Sequence, residues 1–270
     1  MIPIQRAAPS DFMPLEDGKA CGDCSTAERL SFQFSYAYQP IVDVQARQIY
    51  AHEALVRGPG GEGALSVLSQ VNESNRYRFD QACRTKAIKT AALLNMPTRL
   101  SINFMPNAIY RPELCIRATL EAARKHGFPI ERIIFETVEG ERVDDGKWLA
   151  EILREYKRIG FLTAIDDFGA GYAGLNLLAD FQPDLIKLDM ELVRHIDKSP
   201  ARQAIVRGVS HICEELGIRI IGEGVETLDE CLCLQDMGVS LMQGYLFAKP
   251  LFEACGQAET IHWPPGLKQA

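Results

Sequence analysis

Five carboxylates, one amide, one ammonium and one glutamine stand at the ends of short apolar runs in this chain of 270 residues. Glu53 closes IYAHE, Asn103 closes LSIN, Glu136 closes IIFE, and Asp166 closes LTAID with Asp167 directly behind it. Lys187 follows DLI, Glu223 follows IIG and Gln243 follows LM. Side chains on a strand alternate between faces, so each terminal polar residue shares a face with the residue two places earlier. The pairs are Ala51 with Glu53, Ser101 with Asn103, Ile134 with Glu136, Ala164 with Asp166, Leu185 with Lys187, Ile221 with Glu223, and Leu241 with Gln243. Gathered in one place, Glu53, Glu136, Asp166, Asp167 and Glu223 would repel one another, raise their pKa values and destabilise the fold. Hard divalent cations resolve this, because Mg²⁺ and Mn²⁺ take oxygen ligands in octahedral geometry. The adjacent pair Asp166-Asp167 would let one carboxylate bridge two ions. Few cysteines or histidines fall at these ends, which argues against zinc or iron there.

The elements that must bring these ends together can be read from the same runs. Candidate strands are Phe34–Ile41, Ile49–Val56, Arg99–Asn103, Ile133–Glu136, Leu162–Asp166, Asp184–Lys187, Ile218–Gly222 and Ser240–Met242. Helical periodicity lies between them at Arg76–Leu94, Leu114–His126, Lys147–Ile159, Ala201–Leu216 and Leu228–Met237. The first two strands form a hairpin through Val42–Gln48, with no room for a helix. Beyond it strand and helix alternate, the pattern of a parallel α/β fold, and about eight strands in this length give a TIM-like (β/α)8 barrel. The hairpin makes it a modified barrel with one antiparallel strand near the N-terminus. Barrel enzymes carry their active site at the C-terminal ends of the strands. Seven strands ending in polar residues at that mouth are not explained as solvated loop edges.

Composition narrows the partners. With 47% hydrophobic and 24% charged residues the chain reads as globular. A net charge of -7, from 29 Lys+Arg against 36 Asp+Glu, and no basic block argue against a nucleic-acid polymer. No apolar run reaches the roughly 18 residues of a membrane span, and the first residues lack a signal-peptide core. The eight cysteines are scattered and read as reduced, mostly buried thiols, so the expected location is the cytoplasm. Residues 1–30 read as a flexible leader, 31–258 as the catalytic domain and 259–270 as a C-terminal tail.

A set of ordered motifs then carries a resemblance. HEALVRG (residues 52–58, holding Glu53-Ala54-Leu55), YQPIV (38–42), SINFMP (101–106), FETVE (135–139), DDFGAGY (166–172), IKLD (186–189), GEGVET (222–227) and QGYLFAKP (243–250) follow one another as in the EAL-domain phosphodiesterases of bacterial second-messenger signalling. The resemblance covers about residues 32 to 252. It implies a cyclic-di-GMP-specific phosphodiesterase, a hydrolase opening the cyclic dinucleotide to linear pGpG with two Mg²⁺ or Mn²⁺ ions. It implies that Glu53, Asn103, Glu136 and Asp166 bind one ion, and Asp166 and Asp167 the second with Glu223 nearby. Lys187, oriented by Glu226, would contact the attacking water, so the catalytic set is Lys187, Glu223, Glu226 and Glu53. Gln39, Leu55 and Arg57 would line the substrate groove, joined at the ligand by Glu53, Asn103, Asp166, Lys187, Glu223 and Gln243. Glu139 would anchor the loop after Asp167, with packing from Phe168, Tyr172 and Leu175, and the protein would form a homodimer. Many members read DDFGTGYSSL where this chain has DDFGAGYAGL, so Ala170, Ala173 and Gly174 replace three hydroxyl residues.

Other signals yield to bland explanations. Gly169–Gly174 spells G-x-G-x-x-G after a strand, which would suit a nicotinamide-dependent oxidoreductase, but Asp166-Asp167 would face the pyrophosphate with two carboxylates. An EAL-like receptor that holds cyclic-di-GMP without cutting it is the other alternative; such proteins usually lack ligands that are all present here. Cys21 and Cys24 make half a zinc site at best. The run Gly58–Gly63 lacks a following GK[ST] and reads as a linker to Leu65–Val71. His52, out of phase with Glu53, reads as packed under a helix.

Overall fold

The computed structural model describes residues 30–137, 146–170 and 174–268. Among the described residues there are nine strands: β1 (Ser35–Asp43), β2 (Gln48–Arg57), β3 (Arg99–Phe104), β4 (Ile133–Thr137), β5 (Leu162–Phe168), β6 (Leu185–Leu188), β7 (Arg219–Gly222), β8 (Leu241–Met242) and β9 (Leu251–Phe252). The helices are α1 (Leu65–Leu68), α2 (Arg76–Leu93), α3 (Pro112–Cys115), α4 (Arg117–His126), α5 (Gly146–Ile159), α6 (Gly174–Asp180), α7 (Met190–Val193), α8 (Pro200–Leu216) and α9 (Leu228–Asp236). Strands β1 to β8 close into a barrel, because β1 bonds to both β2 and β8. Both of those pairings are antiparallel and every other neighbour in the ring is parallel, so β1 is the reversed strand. The hairpin turn is held by Asp43, whose carboxylate accepts the amides of Gln45 at 3.2 Å and Ala46 at 3.1 Å. Such Asx geometry lets the chain reverse without a helix. Strand β9, absent from the sequence expectation because it is two residues long, adds outside the ring against Ala37 and Tyr38 of β1.

Two apolar layers follow from strand alternation. Inside the ring, Ile41, Tyr50, Ala51, Ile134, Ala164, Leu185, Ile221 and Leu241 form one buried cluster. Between ring and helices lies the larger core, where Phe104, Phe135, Tyr156 and Phe161 stack with Phe135 and Tyr156 centroids 4.8 Å apart. Each such fully buried side chain contributes roughly 1.5–3 kcal/mol of transfer free energy. The expected helix over Leu114–His126 is two helices meeting at Ile116. Helices α6 and α7 went unanticipated, being too short to show a period.

Several bland explanations can be checked. Cys83, Cys115, Cys213 and Cys231 are buried free thiols, and burial pushes those of Cys83 and Cys231 up to about 12. Cys21 and Cys24 lie outside the described residues. His52 is fully buried, and its ring nitrogens meet Thr98 Oγ1 at 2.8 Å and the Gly256 carbonyl at 3.2 Å. Residues 259–268 lie on the barrel, with Ile261 and Leu267 buried and the Lys268 backbone paired to the Gln235 side chain at 3.1 and 3.3 Å.

Candidate active site

The inner cluster ends two residues below the mouth, and the next inward position on each strand is polar. Strand registry pairs Asn103 with Glu136, while Glu136 pairs with Ala164 and Lys187 with Ile221, two residues below Asp166 and Glu223. At the centre lies Lys187, 1% exposed, with Nζ 2.7 Å from Glu223 Oε1, 3.0 Å from Asp166 Oδ1, 3.2 Å from Glu136 Oε2 and 3.3 Å from Glu53 Oε2. Gln243 Nε2 donates to Glu53 Oε2 at 2.9 Å and Asn103 Nδ2 to Glu53 Oε1 at 3.0 Å. Ser101, the residue below Asn103, donates to Glu136. Sequence reasoning used Ser101 only to set the phase of β3; its hydroxyl on a conjectured neighbour was not visible from spacing.

Asp167 breaks the alternation. As the neighbour of Asp166 it should face the helices, yet Asp166, Asp167 and Glu223 bring one oxygen each within 4.8 Å of one another. The cause is a register irregularity in β5 between Ile165 and Phe168, with Asp167 at φ 51. A left-handed turn at a non-glycine residue is costly and persists only where surroundings impose it. Here the Asp167 amide donates to Asp166 Oδ1 at 3.0 Å. Gly169 follows at φ 106, where an added Cβ would stand 2.5 Å from Leu192 Cδ1, so only glycine lets the chain leave.

One ammonium does not compensate these acids. Burial, against the pull of Lys187 and with the repulsion of Glu53 and Asp166, pushes the Glu136 carboxyl up to about 8. Glu223 is raised well above the ordinary value, first by burial and then by Asp166 and Glu53, with Lys187 opposing. Asp167 is raised by burial, Asp166 and Asp189. Burial disfavours the Lys187 ammonium, but Glu136, Glu223, Glu53 and Asp166 outweigh it and keep it charged. Two buried oxygens, Asn103 Oδ1 and Gln243 Oε1, have no hydrogen-bond partner among the described residues, a costly state for an amide. A second oxygen triad, Glu53, Glu136 and Asp166, shares Asp166 with the first. Surplus negative charge, all-oxygen donors, a shared carboxylate and orphaned amide oxygens fit two hard divalent cations.

The other expected positions are placed as follows. Gln39 pairs in register with Glu53, and its Nε2 donates to the Ala248 carbonyl at 3.3 Å. Leu55 and Arg57 continue the inward parity of β2 toward its end, and Arg57 Nη1 donates to the Val56 carbonyl at 2.8 Å. Glu226 is not among the residues bonded to Lys187; its half-exposed carboxylate pairs with Arg194, whose Nη2 lies 2.9 Å from Oε1. Glu139, Tyr172 and Ala173 lie outside the described residues. Phe168 is buried and Leu175 is 58% exposed.

Comparison with known proteins agrees with this geometry. The EAL domain family is matched by residues 26–250. The chain is 32% identical over 260 residues to the blue light- and temperature-regulated antirepressor BluF of Escherichia coli, covering 95% of this chain and 63% of that protein. It is 36% identical over 224 residues to the cyclic di-GMP phosphodiesterase PdeR of the same organism, covering 79% of this chain and 33% of that one. The chain thus spans less than two thirds of these relatives. A standalone EAL protein from Vibrio cholerae, solved with c-di-GMP bound, superposes with a TM-score of 0.83 at 51% identity, covering 89% of this chain and all of that one. A barrel with one reversed strand, the motif residues converging at its mouth and a match across most of the sequence lead to one conclusion: the chain belongs to the EAL domain family.

Proposed function

We propose that the chain is a cyclic-di-GMP phosphodiesterase that hydrolyses one phosphodiester of the ring to give linear pGpG, using two Mg²⁺ or Mn²⁺ ions. The observation that carries this reading is the pair of oxygen triads sharing Asp166, with every donor of the motif set present. Glu53, Asn103, Glu136 and Asp166 would hold one ion, and Asp166, Asp167 and Glu223 the other. Bound there, the ions would lower the pKa of a water and offset the negative charge that builds on phosphorus. Water adds to phosphorus, the P–O3′ bond breaks, and the departing oxygen takes up a proton to become a 3′-hydroxyl. In the metal-free site the surrounding carboxylates hold Lys187 as an ammonium, and it would contact the attacking water as a donor and electrostatic anchor. Glu223, at 2.7 Å from Lys187, would accept the proton of the attacking water. Arg57, at the end of β2, offers the fork geometry that suits a phosphate, with Gln39 and Leu55 completing the groove wall. Glu139 is proposed to fasten the loop after Asp167, so Glu139→Ala should keep ligand binding and raise the metal requirement.

A receptor that binds cyclic-di-GMP without cleaving it is the second reading, favoured by the likeness to an antirepressor. The complete donor set weighs against it. A soluble cytoplasmic homodimer is proposed with the enzyme reading; no described helix is long and apolar enough to cross a membrane. The deciding experiment incubates the chain with cyclic-di-GMP and Mn²⁺, with and without EDTA, and separates products by chromatography. Release of pGpG only without EDTA supports hydrolysis. Tight binding with no product under any divalent metal overturns it in favour of the receptor.

A further inference from the structure

Glu230 is a fully buried carboxylate on the first turn of α9, outside the cluster at the mouth. Its Oε1 accepts the backbone amide of His195 at 2.8 Å. Its Oε2 accepts the amides of Glu226 and Thr227, both at 3.1 Å. The first belongs to the segment that continues from β6, the strand carrying Lys187. The other two belong to the segment that continues from β7, the strand end carrying Glu223. One carboxylate therefore ties together the two chain segments whose side chains meet as the 2.7 Å Lys187–Glu223 pair.

The rest of the β7 segment leaves little freedom. The Glu223 amide donates to the Leu188 carbonyl at 3.3 Å and the Val225 amide to the Gln243 carbonyl at 3.1 Å. Gly224, at φ 64, lies where an added Cβ would stand 2.7 Å from Met190 Cβ. At Gly244 an added Cβ would stand 1.9 Å from the Val225 carbonyl oxygen. The segment is thus bounded by β6 on one side and by the chain leaving β8 on the other, and Glu230 closes the remaining side. On the outside, Arg194 and Glu226 pair across the same two segments. His195 itself sits at φ 56, a left-handed geometry that its hydrogen bond to Glu230 helps to hold. Burial pushes the Glu230 carboxyl up, and the amides of His195, Glu226 and Thr227 more than reverse this, so it stays ionised. A charged acceptor serving three backbone donors is stronger than a neutral one.

We infer that Glu230 is a positioning residue: it latches the segment after β6 to the segment after β7 and so fixes Glu223 against Lys187 and the second metal triad. This rests on the proposed metal-dependent reading of the mouth. It gives the T-x-x-E signature Thr227–Glu230 a task beyond capping α9, which its side chain also performs.

The test compares the full chain with Glu230→Ala and Glu230→Gln. Mn²⁺ alone is titrated calorimetrically, hydrogen–deuterium exchange is followed in the peptide covering residues 223–227, and turnover of cyclic-di-GMP is measured beside them. Glu230→Ala should weaken Mn²⁺ affinity about 10–100-fold, as loss of a group that orients ligands does. It should also speed exchange at 226 and 227, and lower kcat with KM for the dinucleotide changed less than about threefold. Glu230→Gln keeps the length and one accepting oxygen and should fall between the two. If the alanine variant does not fold, the glutamine variant decides. Folded variants with wild-type Mn²⁺ affinity and wild-type exchange would overturn the latch, leaving Glu230 a helix cap. A wild-type chain that binds Mn²⁺ but releases no pGpG would refute hydrolysis and leave the latch standing.

Discussion

Ile134, Ala164, Leu185, Ile221 and Leu241 fill the barrel interior, while Glu136, Asp166, Lys187, Glu223 and Gln243 occupy the same face two residues further along the same strands. The step is about 6.6 Å at strand rise. Both layers are largely buried and both sit on rigid backbone. In the lower layer these five groups are apolar and satisfied by packing, and the polar Ser101 beside them is satisfied by donating to Glu136. In the upper layer four carboxylates crowd one ammonium and two amide oxygens lack partners. Burial alone therefore does not mark the stabilising part of this barrel; the chemistry at each depth does. The lower layer supports the fold, and the upper layer carries the strain of crowded charge that the proposed cations would relieve.

Substitutions in the two layers should separate activity from stability. The largest effect is expected at the shared ligand: Asp166→Asn should lower hydrolysis by about 10³-fold or more, the several kcal/mol expected of a metal function. Glu53→Ala should do the same. Thermal unfolding of both metal-free variants should be no lower than that of the wild type, because each removes a repelling carboxylate. Near-wild-type turnover by either would break the two-metal assignment. Next in size, Leu185→Ala should cost about 2–5 kcal/mol in denaturant unfolding while leaving kcat of the folded protein close to wild type. A selective loss of kcat there would show that the layers are not separable.

Stability against pH sharpens the same contrast. Glu136 is raised from its ordinary 4.5 to about 8 in the metal-free site, chiefly by burial. A carboxyl raised on folding stabilises fully below its unfolded pKa, and that contribution is lost as pH rises through the folded value. Metal-free protein should thus lose stability between about pH 4.5 and 8, and Glu136→Gln should flatten that slope. Saturating Mn²⁺ should flatten it too, by replacing the proton. A melting temperature that rises across this window without metal would contradict the charge analysis. The smallest effect is expected from Ala170→Thr with Ala173→Ser, which restores two hydroxyls worth about 0.5–1.5 kcal/mol each and should change turnover by no more than a few fold. A large gain would make that loop the limiting element.

Much of the mouth was legible because alternation on a strand is strict. Once Ile134, Leu185 and Ile221 were assigned inward, Glu136, Lys187 and Glu223 had to follow. The reversed β1 was legible because seven residues between two strands leave no room for a crossover helix. What escaped reading depended on departures from period. Asp167 reaches the site only through the irregularity in β5, which nothing in the run LTAIDDF specifies. Glu226 turns outward to Arg194, a pairing between two loops that no spacing predicts. Glu230 falls inside the expected helix Leu228–Met237, and spacing says nothing of its bond to the His195 amide, although Thr227 three residues earlier is a signal of a capping role.

The proposed function rests on the upper layer being a cation site built around the shared carboxylate of Asp166. The most direct measurement is the number of Mn²⁺ ions bound per chain at equilibrium, in the presence of cyclic-di-GMP, for the wild type and Asp166→Asn. Two ions are expected for the wild type and fewer than one for the variant; no bound Mn²⁺ in the wild type, or two in the variant, would contradict a cation site centred on Asp166.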